Sequence, residues 1–234
     1  MTNPIETELK LLLATPDDHF RLRSALDRLA TARIREQRND YLDTSRLDLR
    51  AQQAMVRVRV AGERVVATCK VGGQFDRGVH RVTEVERDVP PALAARWKVG
   101  APARVLVVEL GLQDALLAPP DQGGVLAVPL SGDVWLHNLG ALVNTRRTYD
   151  VQLVDLDGDP AGDELVRFEL DHARYSAGVE RWELEVEHPR AGDLTDRIRD
   201  WLDRLEVEHE PATESKYVQF LRLIGTAPEP PESF

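Results

Sequence analysis

The sequence predicts an α+β protein whose centre is a closed antiparallel β-barrel, with a charged interior and helices packed on its exterior. Several segments alternate apolar and charged residues with the period of two that strands have. The charged face of one segment often carries a single sign, as with Arg57 and Arg59 or with Glu84 and Glu86. Like charges at this spacing repel each other unless opposite charges or metal ions face them. A closed barrel whose acids and bases line an interior channel supplies such partners.

The first strand is followed directly by the first helix. Residues 5–13 place Glu6, Glu8 and Lys10 on one face of a strand and apolar side chains on the other. A helix should begin after Thr15, which can cap it, with a proline and two acids in its first turn. Its leucines form one stripe, which should pack on the outside of the barrel.

Five later segments repeat the alternation of the first strand. In each of them apolar residues occupy one face, so the residues of the other face should point into the channel. These inward residues are Arg57 and Arg59, Thr68 and Lys70, Glu84 and Glu86, then Arg167, Glu169 and Asp171, and finally Glu183, Glu185 and Glu187.

Helices and turns are expected around these strands. A short helix should run from Pro90 to about Trp97, and residues 98–140 should hold Gly- and Pro-rich turns and weak strands. Amphipathic helices are predicted from Asp193 to about Leu205 and over residues 215–224.

The acidic loop 155–163 is better interpreted as a hairpin turn than as a calcium loop, because Pro160 replaces the glycine needed at the sixth position. We expect one domain over residues 1–225 and a disordered tail, rich in Pro and Glu, over 226–234.

The composition argues against several classes of protein. The chain of 234 residues has a net charge of −10, which disfavours nucleic acid as a partner. It shows neither a signal peptide nor an apolar span of about twenty residues, so a soluble cytoplasmic protein without membrane contact is expected. Cys69 is the single cysteine, which rules out an intrachain disulfide, and alternation places it on the outer, packed face of its strand.

Taken in chain order, these residues resemble the CYTH domains, also called triphosphate tunnel metalloenzymes. The first strand matches the family's Glu-x-Glu-x-Lys motif with Glu6, Glu8 and Lys10. The later matches are Tyr-x-Asp-Thr at 41–44, Val-Arg-Val-Arg at 56–59, Thr-x-Lys at 68–70, Arg-x-x-Tyr at 146–149, Asp171, and a Glu-x-Glu pair within 183–187. The fourth strand departs from the pattern, because Val82 stands where an arginine is expected.

The resemblance implies metal-dependent hydrolysis of a phosphoanhydride in inorganic triphosphate or in a nucleoside or other organic triphosphate. Bacterial inorganic triphosphatase and thiamine triphosphatase are the corresponding relatives. Two alternatives stay open: cyclisation of ATP, as in class IV adenylate cyclases, and a non-catalytic module that binds polyphosphate or nucleotide. The expected cofactor is Mg²⁺ or Mn²⁺, since hard cations prefer carboxylate oxygens. The expected partner is a triphosphate-containing small molecule, and the oligomeric state is left open, with a homodimer as one option.

The resemblance also implies roles for individual residues. The candidate metal ligands are Glu6, Glu8, Glu183, Glu185 and Glu187. The candidate phosphate-binding residues are Arg57, Arg59, Lys70, Arg146, Arg167 and Lys216. For Lys216 a plain helix start with Ser215 as cap is an equal alternative. The candidate catalytic residues are Lys10, Asp171, Glu84 and Glu86, whereas His80, His172 and His188 are expected to be structural or at the surface.

Overall fold

The computed structural model describes residues 5–94, 100–102, 134–158, 164–176 and 178–225. Within these residues the strands are β1 Ile5–Leu13, β2 Arg33–Asp43, β3 Ala54–Ala61, β4 Arg64–Asp76, β5 Val79–Asp88, β6 Gly100–Pro102, β7 Trp135–Gln152, β8 Leu165–Tyr175, β9 Glu180–Glu187 and β10 His209–Pro211. The helices are α1 Pro16–Leu29, α2 Asp48–Ala51, α3 Pro91–Ala94, α4 Val154–Asp157, α5 Ala191–Arg204 and α6 Lys216–Leu223.

Eight of the described strands close into an antiparallel barrel. Around the barrel the order is β1, β5, β4, β3, β2, β7, β8 and β9, and the pairing of β9 with β1 completes the ring. Strand β6 extends the sheet beside β7, and β10 pairs with the end of β1. The predicted barrel is therefore confirmed.

The outer face of the barrel is covered by helices α1 and α5. Leu9 and Leu11 of β1 are fully buried in one apolar cluster with Leu22 of α1 and Ile198 of α5. This packing leaves the charged face of each strand in the interior, as the alternation predicts. Helix α1 begins as predicted, with Thr15 accepting the backbone N–H of Asp18 at 3.2 Å.

Helix α6 closes one end of the barrel from inside. Its Tyr217 and Phe220 pack against Tyr41, Met55 and inward residues of neighbouring strands in a separate apolar cluster. The rings of Tyr41 and Phe220 lie 4.9 Å apart between centroids.

The expectation of turns and weak strands over residues 98–140 was met only in part, and residues 98, 99 and 103–133 of this range lie outside the described residues. Residues 135–140, expected among turns and weak strands, begin the 18-residue strand β7. Asn138 and Gly140 look like turn residues, but the Asn138 side chain accepts the Gly140 N–H at 2.8 Å within an irregularity of the β2–β7 ladder, where the register shifts between Tyr41 and Leu42. The long-range pairing with β2, which local sequence does not encode, decides this assignment.

The other expectations outside the barrel hold where the structure describes them. Strands β7 and β8 pair as antiparallel neighbours, as expected for a hairpin, and the short helix α4 follows β7, whereas residues 159–163 of the predicted turn lie outside the described residues. The helix expected to reach Trp97 is described only as far as Ala94, and the tail 226–234 lies outside the described residues. In the described part of the chain, no helix has the length and apolar character needed to cross a membrane.

Candidate active site in the barrel interior

The barrel encloses a cavity of about 980 Å³ lined largely by charged side chains. Among the described residues, eleven lysines and arginines and eight glutamates line it, an excess of three positive charges. The whole chain, by contrast, carries −10. The fold therefore concentrates cations inside an acidic protein, which favours an anionic ligand in this cavity.

The charges are divided between two walls. The neighbouring strands β3, β2 and β7 contribute arginines and amides but no carboxylate, among them Arg57, Arg59, Asn39, Asn144 and Arg146. Strands β8, β9, β1 and β5 carry seven of the eight lining glutamates: Glu169, Glu185, Glu187, Glu6, Glu8, Glu84 and Glu86. A donor-rich wall thus faces a carboxylate wall.

Three cations sit in a dense ion-pair network at the inner end of the cavity. Lys10 Nζ lies 2.8 Å from Glu185 Oε1 and 3.1 Å from Glu8 Oε1. Arg146 donates to both carboxylate oxygens of Asp171, at 2.8 and 2.6 Å, and also to Glu185. Lys216 Nζ reaches Glu185 at 2.6 Å and Asp171 at 3.0 Å. Every cation of this network already has carboxylate partners.

The network keeps its members ionised despite burial. Burial alone would raise the pKa of Glu185, but Lys10, Lys216 and Arg146 hold it well below its ordinary value. The pKa of Asp171 is likewise lowered, because Arg146 and Lys216 outweigh burial. The Lys10 ammonium keeps its proton, because Glu185 and Glu8 raise its pKa against the effect of burial.

The second cluster, nearer the open end, is more loosely paired. Arg57 Nη2 is 3.6 Å from Glu84 Oε1, and Arg59 Nη2 is 3.5 Å from Glu86 Oε1. The Nε atoms of both arginines are buried, and no described residue accepts a hydrogen bond from either of them. Because buried donors are normally satisfied, these two arginines keep binding capacity that the inner network has used up.

Lys70 belongs to the same outer cluster and contacts Glu6 and, at 2.9 Å, Glu84. Burial alone would lower the pKa of Lys70, but Glu84 and Glu6 raise it to about 12. The pKa values of the two carboxylates shift in opposite directions. Burial and the neighbouring Glu84 raise the pKa of Glu6, whereas Lys70 keeps the pKa of Glu84 below its ordinary value despite burial. Glu84 is thus the ionised member of the pair, and Glu6 the one that more readily holds a proton.

The carboxylates of β1 and β9 supply the oxygen set that a divalent cation prefers. Glu8 lies directly opposite Glu187 in the ladder of these strands. Burial raises the pKa of Glu187, and the nearby negative charge of Glu6 raises it further. Within the described residues no three acidic, histidine or cysteine side chains converge as a formed metal site. The donor chemistry of Glu6, Glu8 and Glu187 nevertheless fits a hard cation.

The structure places most of the sequence-predicted site residues around this one cavity. Asp171 and Glu183 lie just behind its wall: Asp171 holds Arg146 and Lys216, and Glu183 accepts from Lys216 and from Gln219 Nε2 at 3.1 Å. Arg167 lies at the exposed mouth, 3.3 Å from Asp150. The structure shows both a helix start and a cavity contact at Lys216. Ser215 caps helix α6, and the Lys216 side chain enters the ion-pair network.

Sequence reasoning missed the cavity residues of strand β2. Arg35, Gln37 and Asn39 line the cavity in the inward register of Tyr41. Polar residues occupy both faces of β2 before Tyr41, so no alternation marks the inner one. Counting back by twos from Tyr41, the first residue of a recognised motif, would have found them.

His80 also lines the cavity, although a structural or surface position was expected for it. It is buried, and its Nδ1 lies 3.0 Å from Glu8 Oε1.

Asp43, within the Tyr-x-Asp-Thr motif, has a structural role. It is fully buried and accepts the backbone N–H groups of Thr44, Leu49 and Arg50 at 2.7 to 3.0 Å. These bonds hold the turn in which Leu47 adopts a left-handed backbone, with φ of 58°.

Comparison with known proteins agrees with this architecture. The structure is similar to HpAC1 from Hippeastrum, a protein named as an adenylyl cyclase with a dominant triphosphatase activity, at a TM-score of 0.71 and 22% identity over 93% of this chain and 95% of that one. It is also similar to bh2851 from Bacillus halodurans, named as an adenylate cyclase, at a TM-score of 0.59 and 22% identity over 92% and 98% of the two chains. A third similar structure is PH1819 from Pyrococcus horikoshii, with a TM-score of 0.54 and 15% identity over 92% of this chain and 98% of that one.

These identities show a shared fold. No curated protein matches the chain in sequence. The family model of the CYTH domain matches residues 4–217, which is nearly the whole chain. The chain therefore belongs to the CYTH domain family.

Proposed function

We propose that this protein is a divalent-metal-dependent triphosphatase, which hydrolyses a phosphoanhydride of inorganic triphosphate or of a nucleoside or other organic triphosphate. The observation that carries the proposal is the division of the cavity between a cationic wall and a carboxylate wall. A triphosphate needs several cations on one side, and a metal bound to its oxygens needs carboxylates on the other. A cavity of about 980 Å³ is large enough for such a ligand.

Arg57, Arg59 and Lys70 are proposed to bind the phosphate oxygens. The planar guanidinium of arginine can donate to two oxygens of one phosphate. The two arginines fit this role because their contacts to glutamates are long and their Nε–H groups find no acceptor in the part of the chain that the structure describes. Arg146 and Lys216 are bound to several carboxylates, so we propose that they act mainly by keeping these acids ionised and in place.

Glu6, Glu8 and Glu187 are proposed to hold the metal ion, with Glu185 beside them. Glu183 is a weaker candidate, because Lys216 and Gln219 occupy its oxygens behind the wall. The metal, Mg²⁺ or Mn²⁺, would offset negative charge on the phosphate oxygens during phosphoryl transfer.

The attacking water is proposed to be oriented by Glu84 or Glu86. Glu84 stays ionised beside Lys70 and can accept a hydrogen bond from water. Glu86 is more exposed, with 38% of its side-chain surface accessible, and Thr68 donates to it at 3.1 Å. Lys10 lies at the inner end of the carboxylate wall, where it can stabilise charge that develops on the phosphates. For Asp171 we propose a positioning role, since it contacts Arg146 and Lys216 behind the cavity wall.

Cyclisation of ATP would use the same cations, with the ribose hydroxyl in place of water as nucleophile. A non-catalytic binding module would be expected to have lost its acids, yet all of the sequence-predicted glutamates surround this cavity or lie behind its wall. The presence of these acids therefore favours an enzyme over a binding module.

The test is a product screen on the purified chain with inorganic triphosphate, ATP, thiamine triphosphate and long-chain polyphosphate. Each substrate is assayed for phosphate release and ATP also for cyclic AMP, with Mg²⁺, with Mn²⁺ and with chelator. Arg59→Met is compared with Arg38→Met, a matched change at an exposed arginine that pairs with Asp40 on the outer surface. We expect metal-dependent phosphate release that falls in the first variant and persists in the second. Cyclic AMP without phosphate release, or turnover unaffected by chelator, would contradict the proposal.

A further inference from the structure

The carboxylate of Glu8 is held at one oxygen by two donors. His80 Nδ1 lies 3.0 Å and Lys10 Nζ 3.1 Å from the same atom, Glu8 Oε1. Within the described residues no side chain or backbone group donates to Oε2. A carboxylate that binds a cation only accepts hydrogen bonds, so a metal-binding Glu8 would be paired with the His80 tautomer that carries its proton on Nδ1.

The position of the His80 ring is set by its surroundings on β4. Phe75 stacks on the ring with a centroid distance of 4.3 Å and an interplanar angle of 20°. On the same strand, a Cβ added to Gly73 would lie 2.6 Å from His80 Nε2. The register of the β4–β5 ladder shifts between Val71 and Gln74, and this irregularity brings Gly73 against the ring. The ring is therefore confined between a stacked aromatic residue and a glycine that leaves it just enough room.

We propose that His80 is a positioning residue, which fixes the Glu8 carboxylate so that Oε2 faces the cavity as a ligand for a divalent cation. The inference rests on the proposed function, in which Glu8 contributes to the metal site. Partners that hydrogen-bond a ligating carboxylate restrict its orientation and strengthen metal binding. Lys10 alone cannot fix the orientation of Glu8, because its ammonium group also binds Glu185 at 2.8 Å. The confined His80 ring, in contrast, directs Nδ1 only towards Glu8.

The first experiment measures binding of Mn²⁺ alone to the full chain by calorimetry, without triphosphate. In His80→Leu, which removes the donor, the Mn²⁺ affinity should fall about 10- to 100-fold. In His80→Asn the amide nitrogen takes the place of Nδ1, so the affinity should stay close to that of the unchanged chain. Unchanged affinity in His80→Leu would overturn the proposal.

A second variant tests the same geometry while His80 stays in place. In Gly73→Ala the added methyl group must displace the ring, and Mn²⁺ affinity should fall although Glu8 and His80 are both intact. Gly192→Ala is the matched control, because a Cβ there meets no atom within 4 Å. This variant keeps the test open should His80→Leu fail to fold, and unchanged affinity in Gly73→Ala would then overturn the proposal.

The results separate this inference from the proposed function. A chain that hydrolyses triphosphate and binds Mn²⁺ equally well in all variants would refute only the role of His80. Binding of Mn²⁺ that depends on His80, in a chain without hydrolytic activity, would support that role and refute the hydrolysis. A chain that binds no Mn²⁺ would refute both.

Discussion

Arg146 and Arg59 line the same cavity, yet the loss of Arg146 should mainly reduce the stability of the fold, whereas the loss of Arg59 should mainly reduce the affinity for triphosphate. Arg146 is bound to Asp171, Glu169 and Glu185, whose side chains are at most 9% exposed. Removing one partner from a buried ion-pair network typically costs about 3–5 kcal/mol, because the remaining charges lack compensation. Since Lys10 and Lys216 would still contact these acids, we take the lower end, about 3 kcal/mol, for Arg146→Met.

For Arg59 we expect a small effect on stability and a larger effect on ligand binding. Its contact with Glu86 is 3.5 Å long, and Glu86 is 38% exposed, so the pair resembles a surface ion pair of about 0–1 kcal/mol. A hydrogen bond from a charged donor to a phosphate contributes about 1.5–3 kcal/mol. Arg59→Met should therefore leave the stability nearly unchanged and weaken triphosphate binding about 10- to 150-fold.

Thermal unfolding and titration calorimetry with triphosphate test this contrast. A domain of this size shifts its Tm by about 2–4 °C per kcal/mol, so Arg146→Met should lower the Tm by about 6–12 °C and Arg59→Met by at most about 4 °C. A small shift in Arg146→Met, or full affinity in Arg59→Met, would refute the distinction between a saturated and an unsaturated cluster.

Three further predictions concern metal, ligand and pH. Glu8→Gln should abolish most metal-dependent turnover, by about two orders of magnitude, because a lost hard-cation ligand removes several kcal/mol of charge stabilisation; wild-type turnover in this variant would remove Glu8 from the metal site. Triphosphate with Mg²⁺ at about a hundred times its Kd should stabilise the chain by about 2.7 kcal/mol, a rise in Tm of about 5–11 °C. Monophosphate at equal concentration should do little, and an equal shift from both would argue against a triphosphate site. Protonation of Glu6 and Glu187 should stabilise the metal-free protein as the pH falls from neutral towards the ordinary glutamate pKa, because burial raises the pKa values of both groups and the folded state binds their protons more tightly than the unfolded state. Burial lowers the pKa of His19 to about 4, which acts in the opposite direction over the same range, so the gain from the two glutamates is measured against a variant that keeps His19. The gain should be lost in a Glu6→Gln, Glu187→Gln double variant followed by thermal unfolding across this pH range; if it persists there, other groups are responsible.

At still lower pH, stability should fall instead of rise as the pH decreases. The pKa values of Asp171 and Glu185 are lowered in the folded state, so their contribution is present above the unfolded value and is lost as the pH falls through the folded one. Stability should therefore pass through a maximum between these two regimes.

Much of the barrel could be predicted because alternation is a local property. In β3 every second residue is apolar, and β1 and β9 depart from this pattern only at Thr7 and Glu180, so the alternation can be read from a few consecutive residues. The inward direction of Glu6, Glu8, Arg57, Arg59 and Glu185 follows from that period alone. Strand β2 shows the limit of this reasoning, because residues 35–40 are polar on both faces and only the pairing of the strand with β3 and β7 selects Gln37 and Asn39 for the interior.

In the strands that alternate, the sequence by itself determined which side chains could enter the interior, and the tertiary structure alone decided how each is used. Nothing in the residues around Arg146 and Arg59 indicates how each is paired, yet Arg146 meets acids from β8 and β9 at hydrogen-bond distance, whereas the Nε of Arg59 has no partner among the described residues. Likewise, nothing near His80 in sequence points to Glu8, which lies 72 positions away and meets it only across the β1–β5 ladder. The physical reason is that electrostatic and hydrogen-bond energies depend on distance and direction in space, whereas alternation depends only on the geometry of one strand.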